Sequence, residues 1–286
     1  IANIRFLRRY FMDYSQYNLE KTGYLKEDFR LFHINDRTKK DFSYHYHDFH
    51  KIIVFISGKV TYHIEGKAYH LKPRDILLVS QGAIHKPEID PSVSYERYIF
   101  WIRDDLSCQE LNTCFQKAND RSFNLVRADS ALQERLKDLL PEIEQTLQNK
   151  HFGDPVLRDA LFTQFMIYIN RIFLRTSSSP DKKAYSSDTQ VEQLLKYINR
   201  NLSENLSIDQ LAERFFLSKY HMMRKFKNET GYTIHNYITS KRLLMARSLI
   251  SQGIPVMKAA LASGFRDYTT FVRAYKKQFG KAPSCE

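Results

Sequence analysis

Two segments of the chain repeat one pattern: Met222-Met-Arg-Lys-Phe-Lys-Asn-Glu-Thr-Gly231 and Phe271-Val-Arg-Ala-Tyr-Lys-Lys-Gln-Phe-Gly280. Both carry an apolar residue, Arg, an aromatic residue, Lys and Gly at matching positions, 49 residues apart. The apolar and aromatic residues are four positions apart, which places them on one face of a helix. The closing Gly fits the left-handed cap at a helix C-terminus. The pattern therefore predicts two equivalent helices, each anchored by an apolar face.

The repeat extends upstream of each helix. Residues 211–217 resemble residues 259–265, with an offset of 48. Each unit is therefore predicted to be a short helix, a tight turn and a second helix. Gly264 fits a turn position where a positive φ is common. Phe216 occupies the same slot in the first unit, where a left-handed conformation would cost about 1 kcal/mol.

The opposite face of each repeated helix mixes polar, apolar and basic side chains. The residues expected to face outward are Tyr220, Met223, Arg224 and Lys227 in the first unit and Tyr268, Thr269, Val272 and Arg273 in the second. A helix that reads DNA needs an apolar anchor and an outward face that can reach base edges. A single unit could equally belong to a helical bundle with a basic surface. Two units in register favour a surface for double-stranded DNA.

The charge distribution agrees with this interpretation. Residues 187–286 carry 16 Lys and Arg against 8 Asp and Glu, a net charge of +8, whereas the preceding residues carry 28 against 24. A basic C-terminal third is typical of a protein that binds the phosphate backbone. Cys108, Cys114 and Cys285 lack the spacing of a disulfide framework or zinc finger. With no signal peptide and no apolar run of bilayer length, we expect a cytoplasmic protein.

A long helix is expected between the two units. Residues 233–251 give about five turns, which would hold the two outward-facing helices roughly 28 Å apart. Successive major-groove faces of B-DNA are roughly 34 Å apart. One chain is therefore expected to read two neighbouring grooves, which a DNA bend would bring into register.

The region before the basic third has a different sequence pattern, with short strands followed by helices. Short strands with turn signals between them are predicted at residues 52–56, 60–64, 76–79 and 95–102, as in a sandwich or barrel. Helical spacing follows at residues 130–149, and Asp154-Pro155 is a good start for another helix. Polar residues 176–188, which include a Pro, are expected to form a linker.

Residues 191–283 resemble the DNA-binding domain of the AraC/XylS family of transcriptional regulators. The residues that carry the resemblance include Leu206-Ser-Ile-Asp-Gln-Leu-Ala212, Arg224-Lys-Phe-Lys227, Tyr237-Ile238, Gly264-Phe265 and Phe271-Val-Arg273. The resemblance implies that the outward positions read bases: Tyr220, Met223, Arg224, Tyr268, Thr269, Val272 and Arg273. Contacts to the DNA backbone are expected from Ser218, Lys219, Lys227, Lys241, Arg242, Asp267, Lys276 and Lys277, because helix N-termini and basic side chains bind phosphates.

His45-Tyr-His47 with Gly58, followed by Gly82-x-x-His85, resembles the two cupin motifs. The resemblance implies an effector-binding barrel whose pocket is lined by Tyr44, His45, His47, Tyr62, His85, Tyr98 and Trp101. Metal-binding cupins place a Glu where this chain has Lys51, and a cationic amine repels a divalent ion. We therefore expect no metal and no cofactor; the histidines are either pocket residues for an organic effector or satisfied core residues.

Together these patterns predict an α+β protein of two domains: a cupin-like β-barrel with following helices, and an all-α double helix-turn-helix. The expected boundaries are 1–128 for the effector-binding domain, 129–175 for a helical dimerisation segment, 176–188 for the linker and 189–286 for the DNA-binding domain. The expected function is transcriptional regulation, not catalysis, by a homodimer with a small-molecule effector, and the family resemblance implies sugars as its class. An activator would also contact RNA polymerase. The alternative is a metal-dependent cupin enzyme fused to a DNA-binding module.

Overall fold

The computed structural model describes residues 20–21, 23, 25–37, 42–121, 123–149, 151–175 and 185–285. The strands precede the helical region, as the fold class predicts, and the chain forms a β-rich first domain followed by a helical second domain. None of the helices in the described ranges is long and apolar enough to cross a membrane.

Two sheets face each other in the first domain. One sheet has the strand order β1-β3-β8-β5-β6-β11, and the other has the order β10-β7-β4-β9-β2. The strands are β1 (Glu20–Lys21), β2 (Phe29–Asp36), β3 (His45–Tyr46), β4 (His50–Ser57), β5 (Val60–Ile64), β6 (Lys67–His70), β7 (Asp75–Val79), β8 (His85–Ile89), β9 (Tyr95–Ile102), β10 (Leu125–Arg127) and β11 (Tyr185–Ser187). The four strands predicted from the sequence are present as β4, β5, β7 and β9.

The second sheet is buried on both faces. Ile53 and Leu77 lie in the core between the sheets, whereas Ile52 and Leu78 lie in a core beneath the helices. This explains why β7 is buried along its whole length, while β5 alternates between buried and half-buried residues.

Three helices cover the second sheet: α1 (Thr113–Arg121), α2 (Ser130–Gln148) and α3 (Asp154–Arg175). Asp129 caps the N-terminus of α2, where its side chain accepts a hydrogen bond from the Leu132 amide. Helices α2 and α3 follow the predicted pattern, whereas α1 is a helix that the sequence analysis did not predict.

The stretch predicted as a linker is partly ordered as a strand. Residues 176–184 lie outside the described residues, but β11 pairs with β6 through Tyr185↔Tyr69 and Ser187↔Lys67. The last residues of this stretch therefore extend a sheet of the first domain before α4 begins.

Six helices form the second domain: α4 (Thr189–Arg200), α5 (Ile208–Arg214), α6 (Lys219–Thr230), α7 (Ile234–Ser251), α8 (Val256–Ala262) and α9 (Tyr268–Phe279). The α5–α6 and α8–α9 pairs are the two predicted helix-turn-helix units, and α7 joins them. Ser218 and Asp267 cap α6 and α9, and Gly231 and Gly280 end these helices in the left-handed conformation. Phe216 has φ 53°, as its alignment with Gly264 (φ 87°) predicts.

Candidate DNA-binding surface and effector site

Helices α6 and α9 each bury one face and expose the other. Met222 and Phe226 of α6 are buried, as are Phe271 and Tyr275 of α9. Of the seven predicted base-reading residues, six are exposed and Val272 is partly buried; the exposed ones are Tyr220, Met223, Arg224, Tyr268, Thr269 and Arg273. The repeated apolar pattern thus produces two amphipathic helices whose outer faces are open to a ligand.

Arg224 and Arg273 hold equivalent exposed positions on these two outer faces. The Arg224 guanidinium lies 5.6 Å from the centre of the Tyr220 ring, one helical turn earlier. An arginine on such a face can donate two hydrogen bonds to the major-groove edge of guanine.

Several predicted backbone-contact residues surround these faces. The Ser218 hydroxyl accepts a hydrogen bond from the His221 amide, and the Asp267 carboxylate accepts one from the Thr270 amide. Hydrogen bonds from the Thr270 side chain and from its amide lower the pKa of Asp267. Lys219, Lys276 and Lys277 are exposed, and Lys227 is half-buried.

Lys241 and Arg242 are engaged within the protein instead. Lys241 Nζ lies 2.7 Å from Glu65 Oε1 and 3.1 Å from the Gly82 carbonyl oxygen, both in the first domain. Arg242 donates to the carbonyl oxygens of Leu202 and Glu204, at 2.8 and 2.6 Å. Both side chains are thus held by contacts within the protein that leave no local trace in the sequence of α7, and their contact with the DNA backbone stays a prediction.

Glu65 connects the two domains. It occupies the β5–β6 hairpin with φ 47°. Its carboxylate accepts hydrogen bonds from the Lys241 ammonium, the Tyr237 hydroxyl and, at 2.8 Å, the Ile84 amide. Burial raises the pKa of Tyr237 well above its usual range, and the nearby Glu65 carboxylate adds to this effect. The hairpin of the first domain thus holds the middle of α7.

Further contacts surround the Glu65 cluster. Tyr44 donates from its hydroxyl to the Glu229 carbonyl oxygen at 3.1 Å, and its own carbonyl oxygen accepts from the Tyr232 hydroxyl at 2.5 Å. Arg247 Nη1 lies 3.3 Å from Asp48 Oδ2.

Glycines allow this close approach between the domains. A Cβ at Gly231 would lie 2.2 Å from the Tyr44 ring, and one at Gly82 would lie 2.6 Å from Leu244. Sequence patterns alone do not predict this interface; they indicate only the helix cap at Gly231 and the motif glycine Gly82.

Three histidines meet inside the first domain. His45, His47 and His85 are buried, and their candidate ligand nitrogens lie within 4.8 Å of one another. His45 Nδ1 bonds the Ser43 carbonyl oxygen and His85 Nδ1 bonds the Ala83 carbonyl oxygen, each at 2.9 Å. Within the described part of the chain, the buried His85 Nε2 has no hydrogen-bond partner.

Lys51, Tyr62 and Trp101 complete this cluster. Lys51 Nζ lies 3.4 Å from His47 Nε2 and 3.5 Å from the Tyr62 hydroxyl. Burial, with a smaller contribution from the Arg97 charge, lowers the pKa of Lys51 to about 8. Trp101 stacks on Phe49, with ring centres 4.6 Å apart. We call His45, His47, Lys51, Tyr62, His85 and Trp101 the barrel cluster.

Two predicted pocket residues lie outside the barrel cluster. Tyr44 belongs to the domain interface described above. Tyr98 lies in the core beneath α2 and α3, where it stacks on His33 and its hydroxyl is 3.4 Å from Glu144. Tyr98 lies on the other side of the sheet from the barrel cluster because side chains alternate along a strand. Tyr98 and Trp101 are an odd number of residues apart on β9 and so face opposite sides.

The barrel cluster fits a divalent metal ion poorly. Three imidazoles could supply ligands, but the Lys51 amine already contacts His47 Nε2, one of the nitrogens that would bind the ion. With a pKa near 8 this amine is mostly protonated at neutral pH, and its charge opposes a second cation.

Comparison with known proteins agrees with this two-part architecture. Residues 31–166 match an AraC-like ligand binding domain, and residues 211–285 match a helix-turn-helix domain. The HTH-type transcriptional activator RhaS of Escherichia coli SMS-3-5 is 22% identical over 246 residues, which cover 85% of this chain and 86% of RhaS. The RhaS protein of Escherichia fergusonii is also 22% identical, over 245 residues, with the same coverage.

Some solved structures are similar to nearly the whole chain, and others to about its last third. ToxT from Vibrio cholerae O395 is 15% identical, covering 91% of this chain and 96% of ToxT with a TM-score of 0.36. The C-terminal domain of AraT, a response regulator from Geobacillus stearothermophilus, is 26% identical, covering 34% of this chain and 83% of that domain with a TM-score of 0.33. From the matched ligand-binding and helix-turn-helix domains, the chain belongs to the AraC family of transcriptional regulators.

Proposed function

We propose that this regulator reads its operator with the outer faces of α6 and α9, and that an effector in the barrel cluster changes its affinity for DNA. The observation that carries the proposal is the contact between the first domain and α7, the helix that joins both recognition units. Any shift of α7 alters the relative position of the two recognition helices and therefore their fit to neighbouring grooves.

Two short hydrogen-bonded paths support this coupling. In the first, the Gly82 amide donates to the His47 carbonyl oxygen at 2.9 Å, and the Gly82 carbonyl accepts from Lys241. In the second, Ile84, which precedes His85, exchanges two hydrogen bonds with Glu65. An effector that moves either histidine thus acts on α7 through one intervening residue or two. The coupling is then a difference in contact between two states of the interface.

The class of effector follows from the side chains of the barrel cluster. Imidazole, phenol and indole groups suit a small ligand with several hydroxyl groups, because they combine polar tips with apolar faces. A sugar, the effector class implied by the family resemblance, has this chemistry. No catalytic step is assigned to the cluster.

We also propose that two copies of the chain form a homodimer through α3. Val156, Ile167 and Leu174 lie on one face of α3 and are 75%, 36% and 46% exposed. An exposed apolar stripe of this kind is typical of a helix that packs against a partner. We assign this stripe to a homodimer, which would double the operator half-sites that are bound.

The function is tested by fluorescence anisotropy with DNA from the upstream region of the protein's own gene and with scrambled DNA of equal length. We expect tighter binding to the upstream DNA and a change in that affinity when an effector binds. Trp101, the single tryptophan, reports binding in the barrel cluster through its fluorescence. Equal affinity for both DNAs would contradict the proposal and indicate a non-specific DNA-binding protein.

A further inference from the structure

Lys51 is a buried cation that has no anionic partner among the residues that the structure describes. The residue is 8% exposed, and its amine lies 3.4 Å from His47 Nε2 and 3.5 Å from the Tyr62 hydroxyl, at the upper limit of hydrogen-bond distance. Among the described residues, no carboxylate lies within ion-pair distance of Lys51 Nζ. Buried lysines are almost always paired, because an unpaired charge in the interior is costly.

The other charges near the cluster do not compensate Lys51. Arg97 is also buried, but its guanidinium pairs with Asp36 and lies over the Tyr95 ring. His50 pairs with Asp104 on the far side of β4. The interior around the barrel cluster therefore carries a net positive charge that no described residue neutralises.

Beside the Lys51 cation, His85 presents a buried hydrogen-bond acceptor. Its Nδ1 lies against the Ala83 carbonyl oxygen, so Nδ1 carries the proton and Nε2 presents a lone pair. Burial, reinforced by the nearby Lys51 charge, lowers the pKa of His85 well below its usual range, so the ring stays neutral. A buried acceptor without a donor is as unfavourable as an unmade hydrogen bond.

We infer that the barrel cluster binds a small polyhydroxy carboxylate, such as a sugar acid, with its carboxylate on the Lys51 ammonium and a hydroxyl donating to His85 Nε2. The inference rests on the proposed function and narrows its effector class. A neutral sugar would satisfy His85 but leave the Lys51 charge buried and unpaired. A divalent metal ion would satisfy the histidines but would face that charge directly.

The test is a titration of the full chain, followed by Trp101 fluorescence, with D-glucuronate, D-galacturonate, D-gluconate and D-glycerate. The matched neutral compounds are D-glucose, D-galactose, D-glucitol and glycerol. We expect at least one acid to bind about tenfold or more tightly than its neutral counterpart, since a charge-assisted hydrogen bond replaces a buried unpaired charge. Lys51→Met should abolish this preference, and His85→Phe should weaken binding of the acid.

Several outcomes would overturn the inference. These are equal or tighter binding of the neutral compounds, acid binding that survives Lys51→Met, or no response to any compound. Stoichiometric Zn²⁺ binding that is lost in His85→Phe would instead identify a metal site.

The thermal midpoint of the free protein gives a measurement that needs no ligand. Lys51→Met should raise it, because the substitution removes the unpaired charge and keeps the length of the side chain. A lower midpoint would mean that Lys51 already has a partner within the chain, and would overturn the inference.

The same titration separates this inference from the proposed function. If a neutral sugar binds and changes the affinity for operator DNA, the proposed function stands and the acid preference fails. If no compound binds and His85→Phe leaves the DNA affinity unchanged, the effector part of the proposed function fails as well.

Discussion

Lys241 Nζ of α7 lies 2.7 Å from Glu65 Oε1 in the hairpin of the ligand-binding domain. The two side chains are only 16% and 22% exposed, so solvent weakens their attraction less than it would at the surface. This ion pair links the first domain to α7, the helix that joins both helix-turn-helix units.

Glu65→Gln should uncouple the two domains. The amide keeps the shape of the side chain but loses the charge that attracts Lys241, and its nitrogen cannot accept the bonds that a carboxylate accepts. We expect the effector-dependent change in DNA affinity to shrink severalfold, while effector binding reported by Trp101 stays close to that of the wild type.

The matched control is Glu88→Gln. Glu88 pairs with His63 in the same sheet, and its side chain is 69% exposed. A Glu65→Gln protein that retains the full effector response of the Glu88→Gln control would show that this ion pair does not carry the coupling.

Stability should depend on pH through Lys51. Its pKa is lowered from 10.5 to about 8 by burial, so the unfolded chain holds more protons than the folded chain between these two values. Burial of the charged Lys51 amine therefore destabilises the folded protein fully below about pH 8. This free-energy cost diminishes as the pH rises from about 8 toward 10.5. That cost is on the order of 3 kcal/mol, from the size of the shift.

Thermal unfolding of the wild type and Lys51→Met, followed by Trp101 fluorescence from pH 7 to pH 9.5, measures this contribution. We expect Lys51→Met to be more stable at pH 7 and the difference to diminish at higher pH. Tyrosine ionisation above this range affects both proteins alike and cancels in the comparison. A difference that does not vary with pH would contradict the assignment of the lowered pKa.

Gly264 should tolerate no side chain. A Cβ there would lie 2.3 Å from the Leu202 carbonyl oxygen and 2.8 Å from Arg242 Nε, and φ is +87°. Gly264→Ala should therefore cost more than the roughly 1–2 kcal/mol of left-handed backbone strain alone, and it should weaken DNA binding by the second unit.

Gly253→Ala is the control for Gly264→Ala. Gly253 has a similar φ of +85°, but a Cβ there would meet nothing within 4 Å. Chemical denaturation of the two variants would separate strain from steric overlap. Equal losses of stability would show that the contact with Leu202 does not restrict this turn.

The apolar stripe of α3 should control the oligomeric state. Ile167→Glu places a charge in the centre of the stripe, so we expect sedimentation velocity to show a shift from dimer to monomer. Met257→Glu is the control, because Met257 is an exposed apolar residue on α8. A wild-type protein that is monomeric at micromolar concentration, or an Ile167→Glu protein that stays dimeric, would rule out this interface.

The elements that could be predicted from the sequence are those fixed by local periodicity. The inward and outward faces of α6 and α9 follow from residues four positions apart, and their ends follow from capping residues such as Asp267 and Gly280. Even the unusual backbone of Phe216 follows from its alignment with a glycine.

What could not be predicted depends on contacts between distant parts of the chain. Both faces of β9 are buried, so alternation alone could not assign Tyr98 to the helix side or Trp101 to the barrel side. Lys241 looks like a phosphate-binding residue until Glu65 is brought beside it. The short, polar β11 is a strand only because β6 offers an edge for pairing.

The most direct test measures the DNA affinity of the full chain and of its Arg224→Ala and Arg273→Ala variants across a salt series. The DNAs are the operator, operators with single base-pair changes, and scrambled DNA. Both arginines are exposed at equivalent positions of the two recognition helices. Each substitution should cost roughly 1–3 kcal/mol on the operator and relax preference at different base pairs about one helical turn apart. Replacing Lys276 should instead weaken binding to both DNAs alike and reduce the salt slope by about one unit. Equal losses on both DNAs for the arginine variants would contradict the account, because α6 and α9 would then not read bases.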